Sequence, residues 1–175
     1  MRKGSPLAHL EILDGHADHI PQLRAVLDSI ALFPAEMLPE LMAPCLAGEA
    51  DALWLTVLRD GRATGFCYAR AEALTEGTWN MLALGVAASA QRSGLGARLV
   101  GALEERLRAK GARLLIVDTS GTAAFAPTRS FYEACGYHQE ARIRDFWAEG
   151  DDKITFRKAL PLDTSGQTTN AHPAR

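Results

Sequence analysis

The stretch Trp79-Asn80-Met81-Leu82-Ala83-Leu84-Gly85-Val86, followed by Ala87-Ala88-Ser89-Ala90-Gln91-Arg92-Ser93-Gly94-Leu95-Gly96, decides how this chain is read. Trp79 to Val86 is apolar enough for a strand. Ala87 to Ser93 is a small, polar loop, and Gly94-Leu95-Gly96 opens a helix. In that helix Leu95, Leu99, Leu103 and Leu107 form an i, i+4 stripe, widened by Val100 and Ala102. Lys110 and Gly111 supply a basic last turn and a glycine stop. Leu114-Leu115-Ile116-Val117 is a continuous apolar run, which predicts a strand buried on both faces. Residues 79–118 therefore read as strand, glycine-rich turn, helix, strand. A right-handed crossover would make the two strands parallel.

Upstream, Leu53 to Leu58 and Ala63 to Ala71 predict two strands, and the Asp60-Gly61 pair between them predicts a hairpin turn. Leu7 to Asp14 predicts an earlier strand. Ile20, Leu23, Val26, Leu27 and Ile30 recur at helical spacing, so a helix starts at Pro21 and runs to about Ser29. Pro34, Pro39 and Pro44 divide Phe33 to Gly48 into one or two short helices. Downstream, Thr119 to Ala126 reads as a loop, Pro127 as a helix start and Gly136 as its end. Tyr137 to Arg144 and Asp152 to Leu160 predict two closing strands. Residues 1–6 read as a flexible N-terminus, 7–160 as one domain and 161–175 as a disordered polar tail.

The 175 residues suit one domain with a core of its own, needing no disulfide or metal staple. With 19 Lys+Arg against 21 Asp+Glu, the near-neutral charge argues against a dedicated nucleic-acid binder. Cys45, Cys67 and Cys135 are an odd count in apolar settings, which fits buried thiols in a reducing compartment. No Cys and His spacing predicts a metal site. The longest uncharged stretch, Gly77 to Gln91, is too short and polar to span a bilayer. The expected location is cytoplasmic, with no membrane partner.

The chemistry is argued from Gln91-Arg92-Ser93-Gly94-Leu95-Gly96. Two glycines at a helix start let a ligand approach the backbone closely. The first N–H groups of the helix have no internal partner and attract an anion. Arg92 adds a fixed positive charge. A phosphate or pyrophosphate suits this turn, although the same glycines would also serve a plain tight connection. A P-loop is excluded, because no Gly-Lys-Ser/Thr follows. A dinucleotide fingerprint would place Gly or Ala where Leu99 stands, although Asp118 lies at the end of the next strand, about 20 residues on.

Leu84-Gly85-Val86 with Gln91 to Gly96 resembles motif A of the Gcn5-related N-acetyltransferases, the GNAT family. Ser130-Phe131-Tyr132-Glu133-Ala134-Cys135-Gly136-Tyr137 resembles the motif B helix of the same family. The two occur in family order, and the resemblance runs from about Leu7 to Leu160. It implies an α/β (α+β) single domain, with a mixed, mostly antiparallel twisted sheet of six or seven strands flanked by about four helices. It implies acetyl transfer from acetyl-CoA to a primary amine, on a small molecule or a protein, by direct attack on the thioester. Leu84 and Val86 would then give main-chain contacts to the pantetheine arm. Backbone N–H groups of Arg92, Ser93, Gly94, Leu95, Gly96 and Ala97 would hold the pyrophosphate, with Gln91 also in the cofactor site. The Val86 N–H would meet the developing oxyanion, and Tyr132 would give a proton to the departing thiolate. Two departures stand out. Phe125 occupies the position of a common family asparagine that helps to bind CoA, and Trp79 to Leu82 carries no carboxylate where some members place a base. Homodimerisation is common in the family, but no residue here locates an interface.

A lysine-like amine, with a pKa of about 10.4, arrives protonated. Asp118, Asp145 and Glu72 are the carboxylates near the predicted site, and Asp118, at the end of a parallel strand, ranks first as proton acceptor. Family substrate walls come from the first helices and the last hairpin, which here offer Phe33, Asp145 and Trp147. Two competing readings remain: a catalytically silent acyl-CoA-binding domain and a dinucleotide-binding enzyme.

Overall fold

Seven strands build one sheet: β1 (Leu10–Asp14), β2 (Ala52–Arg59), β3 (Arg62–Ala71), β4 (Thr78–Val86), β5 (Leu114–Ser120), β6 (His138–Ala148) and β7 (Asp151–Ala159). Their spatial order is β1-β2-β3-β4-β5-β7-β6. Four helices flank it: α1 (Ile20–Ile30), α2 (Leu38–Leu46), α3 (Leu95–Ala109) and α4 (Ala126–Ala134). The structure, a computed structural model, describes residues 9–30 and 32–161. The expectations for residues 1–8 and 162–175, including the flexible N-terminus and most of the disordered tail, lie outside the described residues.

Every neighbouring pair of strands is antiparallel except β4 and β5. The crossover through α3 makes that pair parallel, as the pattern of residues 79–118 predicted. Asp60 and Gly61 both take positive φ, 51° and 76°, which a two-residue hairpin loop requires. They join β2 to β3 where the Asp-Gly pair placed the turn.

Two hydrophobic layers cover the sheet unequally. The stripe Leu95, Leu99, Leu103 and Leu107 of α3 is fully buried against Leu55, Val57, Cys67, Met81, Leu115 and Val117. Tyr132 of α4 and Phe156 of β7 belong to the same layer. On the other face Leu23, Val26 and Leu27 of α1, with Leu38 and Met42 of α2, pack on Trp54, Phe66 and Tyr68. Trp54 stacks on Phe66 with ring centroids 4.8 Å apart. That second layer sits over β2 and β3.

Here one expectation is corrected. β5 is not buried on both faces: Leu115 and Val117 are buried, whereas Leu114 and Ile116 are only half-buried. No residue of α1 or α2 shares a core layer with β5, so its second face stays open. The last strand pair also departs from its predicted bounds. β6 runs on to Ala148, through a register break between Ile143 and Ala148, and every residue of it is exposed. No described helix is long and apolar enough to cross a membrane.

Candidate active site

β4 and β5 part company early. They pair only at Thr78 with Leu114, Trp79 with Leu115 and Asn80 with Ile116. Beyond Asn80, β4 keeps β3 as its partner while β5 follows β7, so the sheet forks. A register shift between Tyr68 and Ala69 leaves Leu82 as the extra residue on β4, and such a bulge bends the strand.

The ladder of β3 and β4 fixes which backbone groups face the fork. Ala87 N–H donates to Thr64 O at 2.9 Å. Antiparallel pairs alternate between bonded and non-bonded, so from that pair inward Leu84 and Val86 turn their N–H and C=O away from β3. The carbonyl of Val86 agrees, because it accepts from Gln91 Nε2 at 3.2 Å rather than from β3. Gly85, between them, faces the other way. A Cβ there would lie 2.8 Å from the Phe66 ring and 2.9 Å from Ile30 Cδ1, so glycine lets α1 close beneath the fork. Nothing in the local pattern announced this role; only the positions of Phe66 and Ile30 reveal it.

The loop after β4 leads to the start of α3. Ser93 Oγ donates to Ala90 O, so the side chains of Gln91 and Ser93 brace the loop itself. Arg92 and Gly94 both have positive φ, 58° and 81°, and such turns gather successive N–H groups into a concave nest. Gly94 is the N-cap and offers no side-chain cap. The first helical bond runs from Arg98 N–H to Gly94 O, which leaves the N–H groups of Leu95, Gly96 and Ala97 without helical partners. A Cβ on Gly94 would meet nothing within 4 Å, so the space over the turn is open. On Gly96 it would come within 3.3 Å of Phe131, so this glycine seats α4 against α3. The backbone donors, the dipole of a long helix and the exposed Arg92 fit a pyrophosphate.

Tyr132 lies near the end of α4, buried, with its ring 5.9 Å from those of Tyr137 and Phe156. Burial pushes its phenol well above the usual range, and the thiols of Cys135 and Cys67 add to the shift. Tyr132 shares its core layer with Cys67, the strand partner of Leu84. Phe131 and Tyr132 both pack in the core layer; neither ring is given over to solvent. Tyr137 differs from Tyr132 in donating its hydroxyl to Glu104 Oε1 at 3.1 Å.

All three tyrosines of the chain are shifted upward, Tyr68 as well as Tyr132 and Tyr137, with burial the largest cause in each. An unfolded phenol titrates at about 10. The folded state therefore keeps protons that the unfolded state releases as pH rises through 10, and stability falls from there upward. A titration followed at the phenolate absorbance should run at higher pH than that of the unfolded chain, with its rise accompanied by the loss of helical circular dichroism. A separate phenolate step in the folded protein near pH 10 would contradict this.

The acceptor-side candidates are scattered. Asp118 sits on the open face of β5, where Thr155 Oγ1 donates to Oδ1 and Lys153 Nζ lies 3.3 Å from Oδ2. Both oxygens of this expected proton acceptor are therefore engaged. Trp147 is half exposed and points its Nε1 toward Thr119 O, 3.4 Å away, beside Asp118 on β5. Asp145 turns back into its own hairpin: its Oδ1 accepts from Gly150 N–H at 2.7 Å, and its N–H donates to Asp152. That bond, with Arg142, holds the Asp152 carboxyl below the usual range. Phe33 packs edge-on against Phe66 in the second core layer. Trp147 thus reaches the backbone of Thr119, the residue after Asp118, while Asp145 and Phe33 are left with structural partners. Phe125 stands at the N-cap of α4, partly exposed, with no polar group to offer there.

A profile of the acetyltransferase (GNAT) family matches residues 20–137. Among solved structures, one assigned to that family from Desulfovibrio desulfuricans is 30% identical, with a TM-score of 0.82, over 87% of this chain and 100% of that one. The ribosomal-protein-S18-alanine N-acetyltransferase of Escherichia coli has a TM-score of 0.74 at 16% identity, over 92% and 100%. An aminoglycoside 6'-N-acetyltransferase complexed with coenzyme A has a TM-score of 0.71 at 18% identity, over 86% and 97%. The last two share the fold. No curated protein matches the sequence.

Proposed function

Since this chain belongs to the GNAT acetyltransferase family, we propose that it transfers an acetyl group from acetyl-CoA to a primary amine by direct attack on the thioester. The observation that carries this reading is the fork. The groups of Leu84 and the N–H of Val86 that face away from β3 lie one short loop, residues 87–93, from the uncapped start of α3. A pyrophosphate held by the backbone from Arg92 to Ala97, with Gln91 bracing the loop, would direct an extended amide-bearing arm along β4 toward Asn80. Val86 lies nearer the phosphate end and Leu84 deeper. The thioester oxygen would fall on one of these two N–H groups, which stabilise the charge that develops there.

The chemistry balances with groups of this chain. A neutral amine attacks the thioester carbon, a C–N bond forms and the C–S bond breaks. Tyr132, kept protonated by its burial, gives its proton to the thiolate sulfur. The nitrogen sheds a proton, and solvent restores the phenol. Asp118, tied to Lys153 and Thr155, serves in this scheme as a fixed charge on the open face of β5. The three free thiols support a reducing, cytoplasmic setting.

Thermal unfolding with acetyl-CoA, CoA, NAD or no ligand tests the cofactor half. A ligand at about 100 times its Kd should add about 2.7 kcal/mol. Stabilisation by both CoA species and not by NAD is the expected result, and an NAD-selective shift would turn the reading to a dinucleotide enzyme. Thiol release with a panel of amines tests the transfer half. Stabilisation by acetyl-CoA without acetylation of any amine would leave only a binding domain.

A further inference from the structure

From the open face of the fork we infer that Glu72 is the carboxylate that receives the acceptor's ammonium group and takes its proton before attack. This rests on the acetyl-transfer reading above. Asn80 is the last residue of β4 that pairs with β5, so it marks the vertex of the fork. Its neighbours Trp79 and Met81 point into the α3 layer, and alternation puts Asn80 on the opposite, helix-poor face. There Asn80 Nδ2 donates to Glu72 Oε1 at 2.8 Å. Glu72 follows the last residue of β3, and its N–H donates to Thr78 O at 2.9 Å. Backbone and side chain are therefore both fixed, and the carboxylate leans diagonally toward the vertex.

The cations on this face are already spoken for. Arg70, directly across from Asn80, is held by Asp51 at 2.8 Å and Glu49 at 3.2 Å. Lys153 is held by Asp118. Among the described residues Glu72 has no ion-pair partner, and only its Oε1 is engaged. It is half-buried, so a cation arriving there meets a carboxylate that is oriented and unneutralised. Asp118 lies on the same face across the fork but is neutralised by Lys153. The half-exposed Leu82, at the bulge just past the vertex, gives the stem of the amine an apolar wall. The acceptor this arrangement takes is a primary ammonium on an aliphatic stem. Its proton passes to Glu72 and on to solvent, and the neutral nitrogen then attacks the thioester held deeper along β4.

The test compares wild type, Glu72→Gln, Glu72→Asp and Asp118→Asn, with cadaverine, kanamycin and an alanyl peptide as acceptors. Glu72→Gln should lower kcat/KM for the amine about 100-fold while the KM for acetyl-CoA and its thermal shift stay unchanged. The deficit should shrink as pH rises toward the amine's own pKa, because a neutral amine needs no base. Glu72→Asp, one methylene short of Asn80, should fall between. A merely structural role would not produce a pH-dependent deficit. Unchanged kinetics in Glu72→Gln, or a deficit that appears in Asp118→Asn instead, overturns the assignment. If wild type acetylates none of the three amines, the acetyl-transfer reading fails and this inference with it, a result distinct from failure of Glu72 alone.

Discussion

Replacing Lys158 with methionine is expected to cost the fold about 3 kcal/mol, read as a lower midpoint in denaturant at unchanged slope. Glu104 sits on α3 with its side chain 6% exposed, and Lys158 Nζ lies 2.8 Å from both of its oxygens. The same ammonium donates to Cys135 O at 2.8 Å, at the end of α4. One side chain of β7 thus ties two helices together. Its removal leaves a buried carboxylate with Arg108 at 3.2 Å as its remaining cation, and an uncompensated buried charge is costly. The double variant Glu104→Leu, Lys158→Met should recover much of the loss, because both charges leave together. A single variant as stable as wild type would show that the cluster contributes little.

Tyr132→Phe should reduce single-turnover acetyl transfer about 100-fold, with little effect on acetyl-CoA binding or on melting temperature. The ring stays, so the packing against Tyr137 and Phe156 stays. Only the proton for the departing sulfur is lost. The deficit should diminish with acyl donors whose thiol is more acidic and leaves without a proton. Transfer at the wild-type rate in both Tyr132→Phe and Tyr132→Ala would remove this residue from the chemistry.

Elements set by local chemistry were legible. The Asp60-Gly61 turn, the leucine stripe of α3 and the two glycines at its start all depend on residues close in sequence. The order β5-β7-β6 was not legible, since the pairing of Asp118 with Thr155 spans 37 positions. For the same reason Asp118 ranked first as proton acceptor with its partners out of view. Its neutralising partner comes from a strand far along the chain. Leu114 to Val117 read as doubly buried because an apolar run does not reveal which face lacks a covering helix. Glu104 is the converse case. A charge beside a leucine stripe reads as solvated, yet Tyr137 and Lys158, 33 and 54 residues away, help make it one of the most buried charges among the described residues. At the candidate site the glycine turn that opens α3 was legible and the side chains around Asn80 and Asp118 were not, because the first is backbone geometry of one segment and the second is an assembly of several.

The brevity of the contact between β4 and β5 has a mechanical meaning. Three ladder pairs, preceded by Gly77 O accepting from Arg113 and Leu114 N–H, form the seam between one leaf of four strands and another of three. α3 packs chiefly on the first leaf, while α4 reaches the second through Phe156 and β6. An extended molecule lying in the gap would act as a temporary eighth strand, stitching the leaves where the protein's own ladder stops. A donor lying there as proposed would add hydrogen bonds across the gap and stiffen the sheet where its own ladder is shortest.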